Sequence, residues 1–259
     1  MNVILRVLVI PTRWESQAVL KALSGAAPEP GWDIPAWRMG HLLLVEPGVG
    51  LELAATIPPR IEPLEPQTVW LFGWCGGLVP ELGLGDLVLA DTTILADDPT
   101  TRIPHPPGEP LVAQVRRIAE ELGLRVVIGP VLSSGRVLAS VEEKRDGAAT
   151  GAVAVEMEAG PLARWAAARG VRFVHLRVVL DPLTSALPKT RLPTDEHGHA
   201  PLHMLLLHAL THPHEWPALW NLIRQARTAR RTMADVITAL TRPGGPLAPA
   251  PAIQTTGVK

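Results

Sequence analysis

The sequence lacks several features that would place it outside the class of soluble globular proteins. Cys75 is the single cysteine among 259 residues, so no disulfide can form within the chain and an oxidising compartment is not indicated. The formal net charge is -1, which gives no electrostatic reason to expect nucleic acid as a partner. The sequence contains no run of roughly 18 to 20 apolar residues, the length of a membrane span. The apolar start lacks the basic region of a signal peptide. These absences predict a cytoplasmic protein.

Apolar strand-like segments alternate with segments of helical spacing along most of the chain. "VILRVLVI" precedes "WESQAVLKAL", and "PLARWAAARG" precedes "RFVHLRVVLD". This alternation predicts an α/β fold of three layers, α/β/α, with a mixed central sheet flanked by helices. "SGAAPEPGWDIPAW" is predicted to be a loop, and "LELAATIPPRI" a helix that Pro58 and Pro59 end.

The domain organisation predicted from this pattern is a single domain over residues 1–242, with a helical part from about residue 199. Residues 243–259 are rich in proline and glycine and bury too little apolar surface to order themselves, so a disordered tail is expected.

Residues suited to ligand binding occur where four predicted strands end, and in α/β sheets ligands bind outside the carboxyl ends of strands. Those residues are Gly48 and Gly50; Gly73, Gly76 and Gly77; Glu156 and Glu158; and Asp181. Taken singly, each has an ordinary structural explanation, since a glycine turn is commonly only a turn and Asp181 could simply start an Asp-Pro turn. Paired acids at the end of an apolar strand are nevertheless costly to bury, so a site is predicted there.

Taken in order, these segments resemble the nucleoside phosphorylase and nucleosidase family, in particular its methylthioadenosine/S-adenosylhomocysteine nucleosidase-like branch. The resemblance covers roughly residues 3–185. It rests on "VLVIPTRWES", "GVGLELAA", "GWCGGLVPELGLGDLVLAD", "SSGRVLAS", the Val-Glu-Met-Glu motif at 155–158, and the Arg-x-x-x-Asp strand end from Arg177 to Asp181. "DPLTSALP" and "HPHEWPALWNLIRQAR" further resemble the hopanoid-associated phosphorylase branch, whose members are implicated in removing adenine from adenosylhopane.

The resemblance implies an enzyme that cleaves the N-ribosidic bond of a purine nucleoside carrying adenine, by hydrolysis and without a metal or organic cofactor. It implies that Glu158 binds the ribose hydroxyls and that Met157 packs against the sugar. A carboxylate can accept from both hydroxyls and stabilises an oxocarbenium-like sugar. Asp181 corresponds to the acid that protonates purine N7, a role that needs a pKa raised by burial. Glu15, or Ser16 if the alignment shifts by one residue, corresponds to the group that activates water.

The resemblance gives supporting or alternative roles to other residues of the implied site. Glu156 is equally compatible with supporting the site from behind and with contacting substrate. The cleft is expected to be shaped by the glycines named above together with Ser134 and Leu138. Trp74, Arg136 and Leu138 stand where the family commonly has serine, aspartate and an aromatic residue. These departures leave purine stacking to another group, such as Trp74, and leave Arg136 as a phosphate-binding or merely structural residue.

Several alternatives stay open at this point. The reaction could be phosphorolysis, with phosphate as co-substrate, or the chain could be a nucleoside-binding protein without turnover. The histidine-rich stretch from His199 to His214 shows no regular metal-ligand spacing, so surface histidines are favoured. The basic, tryptophan-bearing C-terminal helix could contact an anionic membrane or pack on the domain or across a dimer interface. A homo-oligomer is implied by the resemblance.

Overall fold

The apolar segments of the sequence form the strands of one sheet in the computed structural model, which describes residues 6–187, 211 and 216–248. The strands are β1 Arg6–Val9, β2 Ala27–Pro28, β3 Ala36–Met39, β4 Leu42–Val45, β5 Thr68–Gly77, β6 Leu87–Leu95, β7 Arg102–Pro104, β8 Val126–Ser133, β9 Ala154–Glu156 and β10 Arg172–Asp181. The helices are α1 Arg13–Ala22, α2 Leu51–Ala54, α3 Ile57–Ile61, α4 Glu109–Glu121, α5 Val141–Ala148, α6 Ala159–Arg169 and α7 Trp216–Thr241.

Strand β5 is the branch point of the sheet. Along one edge it pairs in parallel with β10 from Thr68 to Gly76. Along its other edge it pairs first with β1, over residues 68–71, and then with β9, over residues 76–77. The order β10-β6-β8-β9-β5 closes on itself through the β5–β10 pairing, and β1, β4, β3 and β2 extend the sheet beyond it. The sheet contains both parallel and antiparallel pairs, so the predicted mixed sheet is confirmed.

Helices cover both faces of the sheet. One buried cluster joins Leu8 and Phe72 of the sheet to Val19 of α1, Val115 of α4 and Met233 of α7. The second cluster, on the opposite face, includes Leu71, with Ile57 of α3 and Leu162 of α6 packed over it. Side chains alternate between the faces of a strand, which is why neighbouring residues of β5 belong to different clusters. The predicted three-layer α/β/α architecture is confirmed.

Three local predictions need correction. "LELAATIPPRI" forms two short helices, and Pro58 and Pro59 lie in the first turn of α3, where a missing N–H costs nothing. The predicted loop "SGAAPEPGWDIPAW" contains β2 and the start of β3. Helix α5 was not predicted, although Ser140 and Glu143 form a capping box that marks its beginning.

The C-terminal part is helical where the structure describes it, since α7 buries Met233, Val236 and Ile237 against the sheet layer. Leu247 is fully buried, and the Ala248 carbonyl accepts a hydrogen bond of 2.6 Å from Arg6 Nη1. Residues 243–248, the first part of the segment predicted to be a tail, thus include contacts with the domain. Most of the predicted helical segment from 199 to 215, including the histidine-rich stretch, lies outside the described residues. Within the described ranges, no helix is long and apolar enough to cross a membrane.

Candidate active site

A cavity of about 200 Å³ opens beside the carboxyl ends of β5, β9 and β10. It brings together eight of the predicted site residues: Glu15, Trp74, Gly76, Leu138, Glu156, Met157, Glu158 and Asp181. Five others do not line it: Gly48, Gly50, Gly73, Gly77 and Ser134. The structure thus places the four predicted carboxylates around one hollow, although they come from widely separated parts of the sequence.

Arg177, which belongs to the Arg-x-x-x-Asp motif but had no predicted role, is the centre of the carboxylate cluster. Its side chain is fully buried on β10. Nη2 donates to Glu158 Oε2 at 2.9 Å and also to Glu156 Oε2. Nε donates to His175 Nε2 at 2.9 Å, so that ring nitrogen is unprotonated. The pKa of His175 is lowered, first by burial and then by the Arg177 charge. Since His175 is neutral, Arg177 is the one cation of this cluster among the residues that the structure describes.

Glu158 is held from two sides at the point where α6 begins. Its Oε1 accepts a hydrogen bond of 3.2 Å from the Gly50 amide, and its Oε2 accepts from Arg177. Burial raises the pKa of Glu158 to about 7, against the opposing effect of Arg177 and with added repulsion from Glu156 and Glu15. The Gly50 amide is presented from a residue with φ of +107°, a conformation that favours glycine. Gly50 therefore orients the carboxylate without lining the cavity.

Glu156 binds the backbone of the turn between β9 and α6. Its carboxylate accepts from the amides of Glu158, at 2.9 Å, and Ala159, at 2.9 and 3.1 Å, in addition to Arg177. Three donors, which make four hydrogen bonds, leave this carboxylate little capacity for a ligand. This geometry favours the supporting interpretation of Glu156 over direct contact with substrate.

Glu15 lies in the first turn of α1 and its carboxylate reaches back across the cavity floor. Oε2 accepts from the Thr12 amide at 2.9 Å and the Thr12 hydroxyl at 2.5 Å, while Oε1 accepts from the Trp74 amide at 2.6 Å. Burial raises the pKa of Glu15, although the Thr12 hydrogen bond opposes the shift. Ser16, the alternative from the alignment, instead donates to the Glu46 carboxylate and does not line the cavity.

Gly73 explains how Glu15 and Arg177 come so close to the sheet. A Cβ at this position would lie 2.6 Å from both Arg177 Nη1 and Glu15 Oε1, closer than such atoms can approach. Gly48 has a φ of +100°, and its amide donates to the Pro11 carbonyl at 2.9 Å. Gly77 packs against Leu82 and Pro182. The glycines outside the cavity lining thus shape the backbone beneath it.

Asp181 lies at the end of β10, 4% exposed, and its carboxyl group faces the cavity above Gly76. Burial raises the pKa of Asp181 to about 6, and the neighbouring Lys144 ammonium limits the rise. Lys144 Nζ lies 2.6 Å from Asp181 Oδ2. Sequence analysis missed this lysine; the capping box of α5 would have placed it on a helix, but no pattern indicated that it was buried.

The residues that depart from the family pattern form one rim of the cavity. The Trp74 side chain lines the cavity, and its buried indole Nε1 has no hydrogen-bond partner among the described residues. The Arg136 side chain is 65% exposed and pairs with the Glu143 carboxylate. Ser134 lies behind this rim, where its hydroxyl donates to the Arg136 carbonyl at 2.8 Å. Arg136 is thus engaged at the surface by an acid of α5.

No group of three or more histidine, cysteine or acidic side chains within residues 6–187, 211 and 216–248 has an arrangement that could hold a metal ion. The four buried carboxylates of the cavity are engaged by the Arg177 guanidinium, the Lys144 ammonium or backbone amides.

The sequence matches a known protein family over most of its length. The family model described as "Phosphorylase superfamily" matches residues 34–210, and the chain belongs to that superfamily. The chain is 26% identical to the 5′-methylthioadenosine/S-adenosylhomocysteine nucleosidase of Staphylococcus aureus over 156 residues, which cover 54% of this chain and 68% of that protein.

Solved structures of nucleosidases and of a related hydrolase have the same fold as this chain. The S-adenosylhomocysteine nucleosidase of Streptococcus pyogenes, in complex with 5-methylthiotubericidin, matches with a TM-score of 0.68 and 18% identity, covering 93% of this chain and 97% of that one. The futalosine hydrolase of Helicobacter pylori strain 26695 matches with a TM-score of 0.68 and 18% identity, covering 92% and 98%. These comparisons confirm the predicted family and fold, and the matching relatives are nucleosidases and a hydrolase.

Proposed function

We propose that the protein hydrolyses the N-ribosidic bond of a purine nucleoside. The observation that carries this proposal is that Glu158 and Asp181 line the same cavity, which Met157 and Glu15 also line. This reaction requires the acid that binds the sugar and the acid that protonates the base to line the same cavity. The named nucleosidase and hydrolase relatives support the same reaction class.

The charge at the sugar end of the cavity suits a sugar that becomes positive. Glu15, Glu156 and Glu158 surround the single Arg177 guanidinium, so the cluster carries excess negative charge when its acids are ionised. N-glycosidic cleavage passes through an oxocarbenium-like sugar, and fixed charges in a site that excludes water stabilise such a state. We assign Glu158 to the ribose hydroxyls and Met157 to the apolar face of the ribose.

The proton transfers follow from the remaining carboxyl groups. Asp181, in its protonated form, gives its proton to purine N7 as the C1′–N9 bond breaks and its electron pair passes to the base. Water then adds to C1′, and Glu15 accepts a proton from that water. The buried positions of both acids raise their pKa values toward the range in which such transfers operate near neutral pH.

Hydrolysis is favoured over phosphorolysis by the state of the two arginines that line the cavity. Arg177 binds Glu156, Glu158 and His175 through Nε and Nη2, and Arg136 is paired with Glu143. A phosphate dianion would meet the negative excess of the carboxylate cluster, and both arginines that line the cavity among the described residues already bind acids. Phosphate as a co-substrate therefore remains the second candidate.

The finer parts of the assignment rest on resemblance. Adenine as the base and a substituent on the 5′ carbon follow the names of the relatives, and adenosylhopane follows the resemblance of the C-terminal segment. A homo-oligomer, a cytoplasmic location, the absence of a cofactor and peripheral membrane contact through α7 stay predictions. For the last of these, α7 exposes Trp220, Arg224, Arg227 and Arg231.

The test is base release from a panel of adenosine derivatives differing at the 5′ position, with inosine added, in phosphate-free buffer and with phosphate. We expect free adenine without phosphate, and a loss of about 10²- to 10⁴-fold in rate for Asp181→Asn, the usual size of a general-acid contribution. Exposed Arg145→Gln is the matched control. Strict phosphate dependence would make the enzyme a phosphorylase, and binding without release of any base would make the chain a nucleoside-binding protein.

A further inference from the structure

Lys144 is a buried cation that the proposed reaction does not yet use. It lies on α5, is fully buried and does not line the cavity. Its Nζ lies 2.6 Å from Asp181 Oδ2 and donates to the carbonyls of Asp181, Pro182 and Ser185 at 3.1, 2.9 and 2.7 Å. The ammonium therefore approaches Asp181 from behind, on the side away from the space where a ligand would lie.

Lys144 is the charged side chain that acts most strongly on Asp181, because the other charged groups near the cavity are bound elsewhere. The other titratable or charged side chains that line the cavity are Glu15, Cys75, Arg136, Glu156, Glu158 and Arg177. The three glutamates are bound by Arg177 or by backbone amides, and Arg136 is bound by Glu143 of α5. The Cys75 thiol of β5 stays neutral because burial raises its pKa. The shift in the pKa of Asp181 accordingly has two main causes, burial and Lys144.

We infer that Lys144 is a positioning residue that binds Oδ2 of Asp181, leaves Oδ1 to the substrate, and stabilises the carboxylate that forms when Asp181 protonates the departing base. This inference rests on the proposed function, because it assigns Lys144 a part in the same proton transfer. Lys144 itself keeps its protons throughout. The proton moves from the Asp181 carboxyl to N7, and the resulting negative charge on Asp181 is paired with the ammonium.

The inference makes Asp181 a stronger acid than burial alone would allow. A cation at this distance favours the ionised form of a carboxyl group and lowers its pKa by about 1–3 units. With Lys144 in place, proton donation to the base is easier, but the protonated form persists only to a lower pH. Without it, the acid is weaker and stays protonated to a higher pH. The two effects have opposite signs at low and high pH, which a purely structural role would not produce.

The experiment compares Lys144→Gln, which keeps a neutral donor for the carbonyls, with Lys144→Arg, which keeps the charge. Exposed Arg145→Gln is the matched control for removing one positive charge from α5. The rate of base release is measured from pH 5 to pH 9 at saturating nucleoside, together with the thermal unfolding of each variant.

For Lys144→Gln we expect a lower rate at pH 5, and a descending limb of the pH profile displaced upward by about one unit or more. Its deficit relative to the unmodified protein then shrinks as the pH rises. Lys144→Arg is expected to keep the original profile in position. A rate lowered by the same factor at every pH in both variants would overturn the inference and leave Lys144 a structural residue.

A second measurement separates this inference from the proposed function. Carboxyl ¹³C chemical shifts of labelled aspartate, with Asp181→Asn used for assignment, report the titration of Asp181 without any turnover. If no nucleoside is cleaved, the proposed function fails, yet the titration of Asp181 must still move to higher pH in Lys144→Gln. An unmoved titration in a folded variant would overturn the role of Lys144 even in an active enzyme.

Discussion

The two ends of the cavity hold buried charges in different ways. At one end three glutamates share the guanidinium of Arg177, so negative charge is in excess. At the other end Asp181 and Lys144 form a balanced pair. An unbalanced cluster is suited to stabilise a positive sugar, whereas a balanced pair is suited to release and take back one proton. The charge balance of each end thus separates two chemical tasks within one hollow.

Removing the Arg177 cation from the glutamate end of the cavity should cause the largest loss in the free energy of unfolding. Arg177→Met leaves Glu15, Glu156 and Glu158 buried without their shared partner, and breaking a buried pair costs about 3–5 kcal/mol of unfolding free energy. Urea unfolding at pH 7 measures it. A loss below about 1 kcal/mol, the size of an exposed pair, would contradict the central position of Arg177.

Neutralising one acid of the same cluster should reduce catalysis while preserving the fold. For Glu158→Gln we expect kcat/KM to fall by about 10²-fold or more, the size of losing one preorganised electrostatic contact. The preference for a ribose over a 2′-deoxyribose substrate should shrink as well, because the hydroxyl partner is the carboxylate. Retention of that preference in a folded variant would place the ribose elsewhere.

The pH dependence of stability should follow from the raised pKa values at both ends. Glu158 and Asp181 titrate near 7 and 6 when folded, above their ordinary values of 4.5 and 3.8. The folded state therefore binds more protons between those values, so stability falls as the pH rises through them, by up to about 1.4 kcal/mol per pH unit for each group. Urea unfolding of the unmodified protein and Glu158→Gln between pH 4.5 and pH 7 measures the contribution. Equal slopes for the two proteins would show that Glu158 does not titrate in this window.

The smallest loss of stability and activity is expected when Arg136, at the exposed edge of the cavity, is replaced. The Arg136 side chain is 65% exposed, and its pair with Glu143 is screened by solvent. For Arg136→Ala we expect a loss of about 0.2–1 kcal/mol in stability and a rate of base release close to that of the unmodified protein. A large loss that depends on added phosphate would instead assign Arg136 to a co-substrate site.

Glu156, Glu158 and Asp181 were found in the sequence because each stands at the end of a predicted strand, and strand ends converge in an α/β fold. Glu15 was found through the family resemblance. Glu15 and Asp181 are separated by most of the domain, yet strands β1, β5 and β10 are parallel neighbours and bring their ends to one edge. Glu156 and Glu158 reach the same cavity from β9, which pairs antiparallel with β5 and parallel with β8. Residue type and spacing could therefore indicate the edge of the sheet at which the site forms.

The cations were not found, because a lysine or arginine in a sequence gives no sign of its burial. Lys144 lies 37 residues before Asp181, on a helix that was not predicted, and its pairing exists only once α5 has packed behind β10. Arg177 follows an apolar run and looks like an ordinary strand residue. The misassigned Pro58 and Pro59 show a similar limit, since a proline begins a helix as readily as it ends one.

The branching of the sheet at β5 has a consequence for how such a cavity can change. β1 pairs with β5 only as far as Leu71, and β9 pairs with it only from Gly76 onward. Between these points the main chain of β5 has no partner strand on that edge, so an amide there can bind a side chain. The Trp74 amide lies there and binds Glu15. Replacement of the indole would therefore reshape the wall against which the ligand lies while its acid stays anchored. Substrate preference and proton chemistry can in this way evolve separately at a single residue.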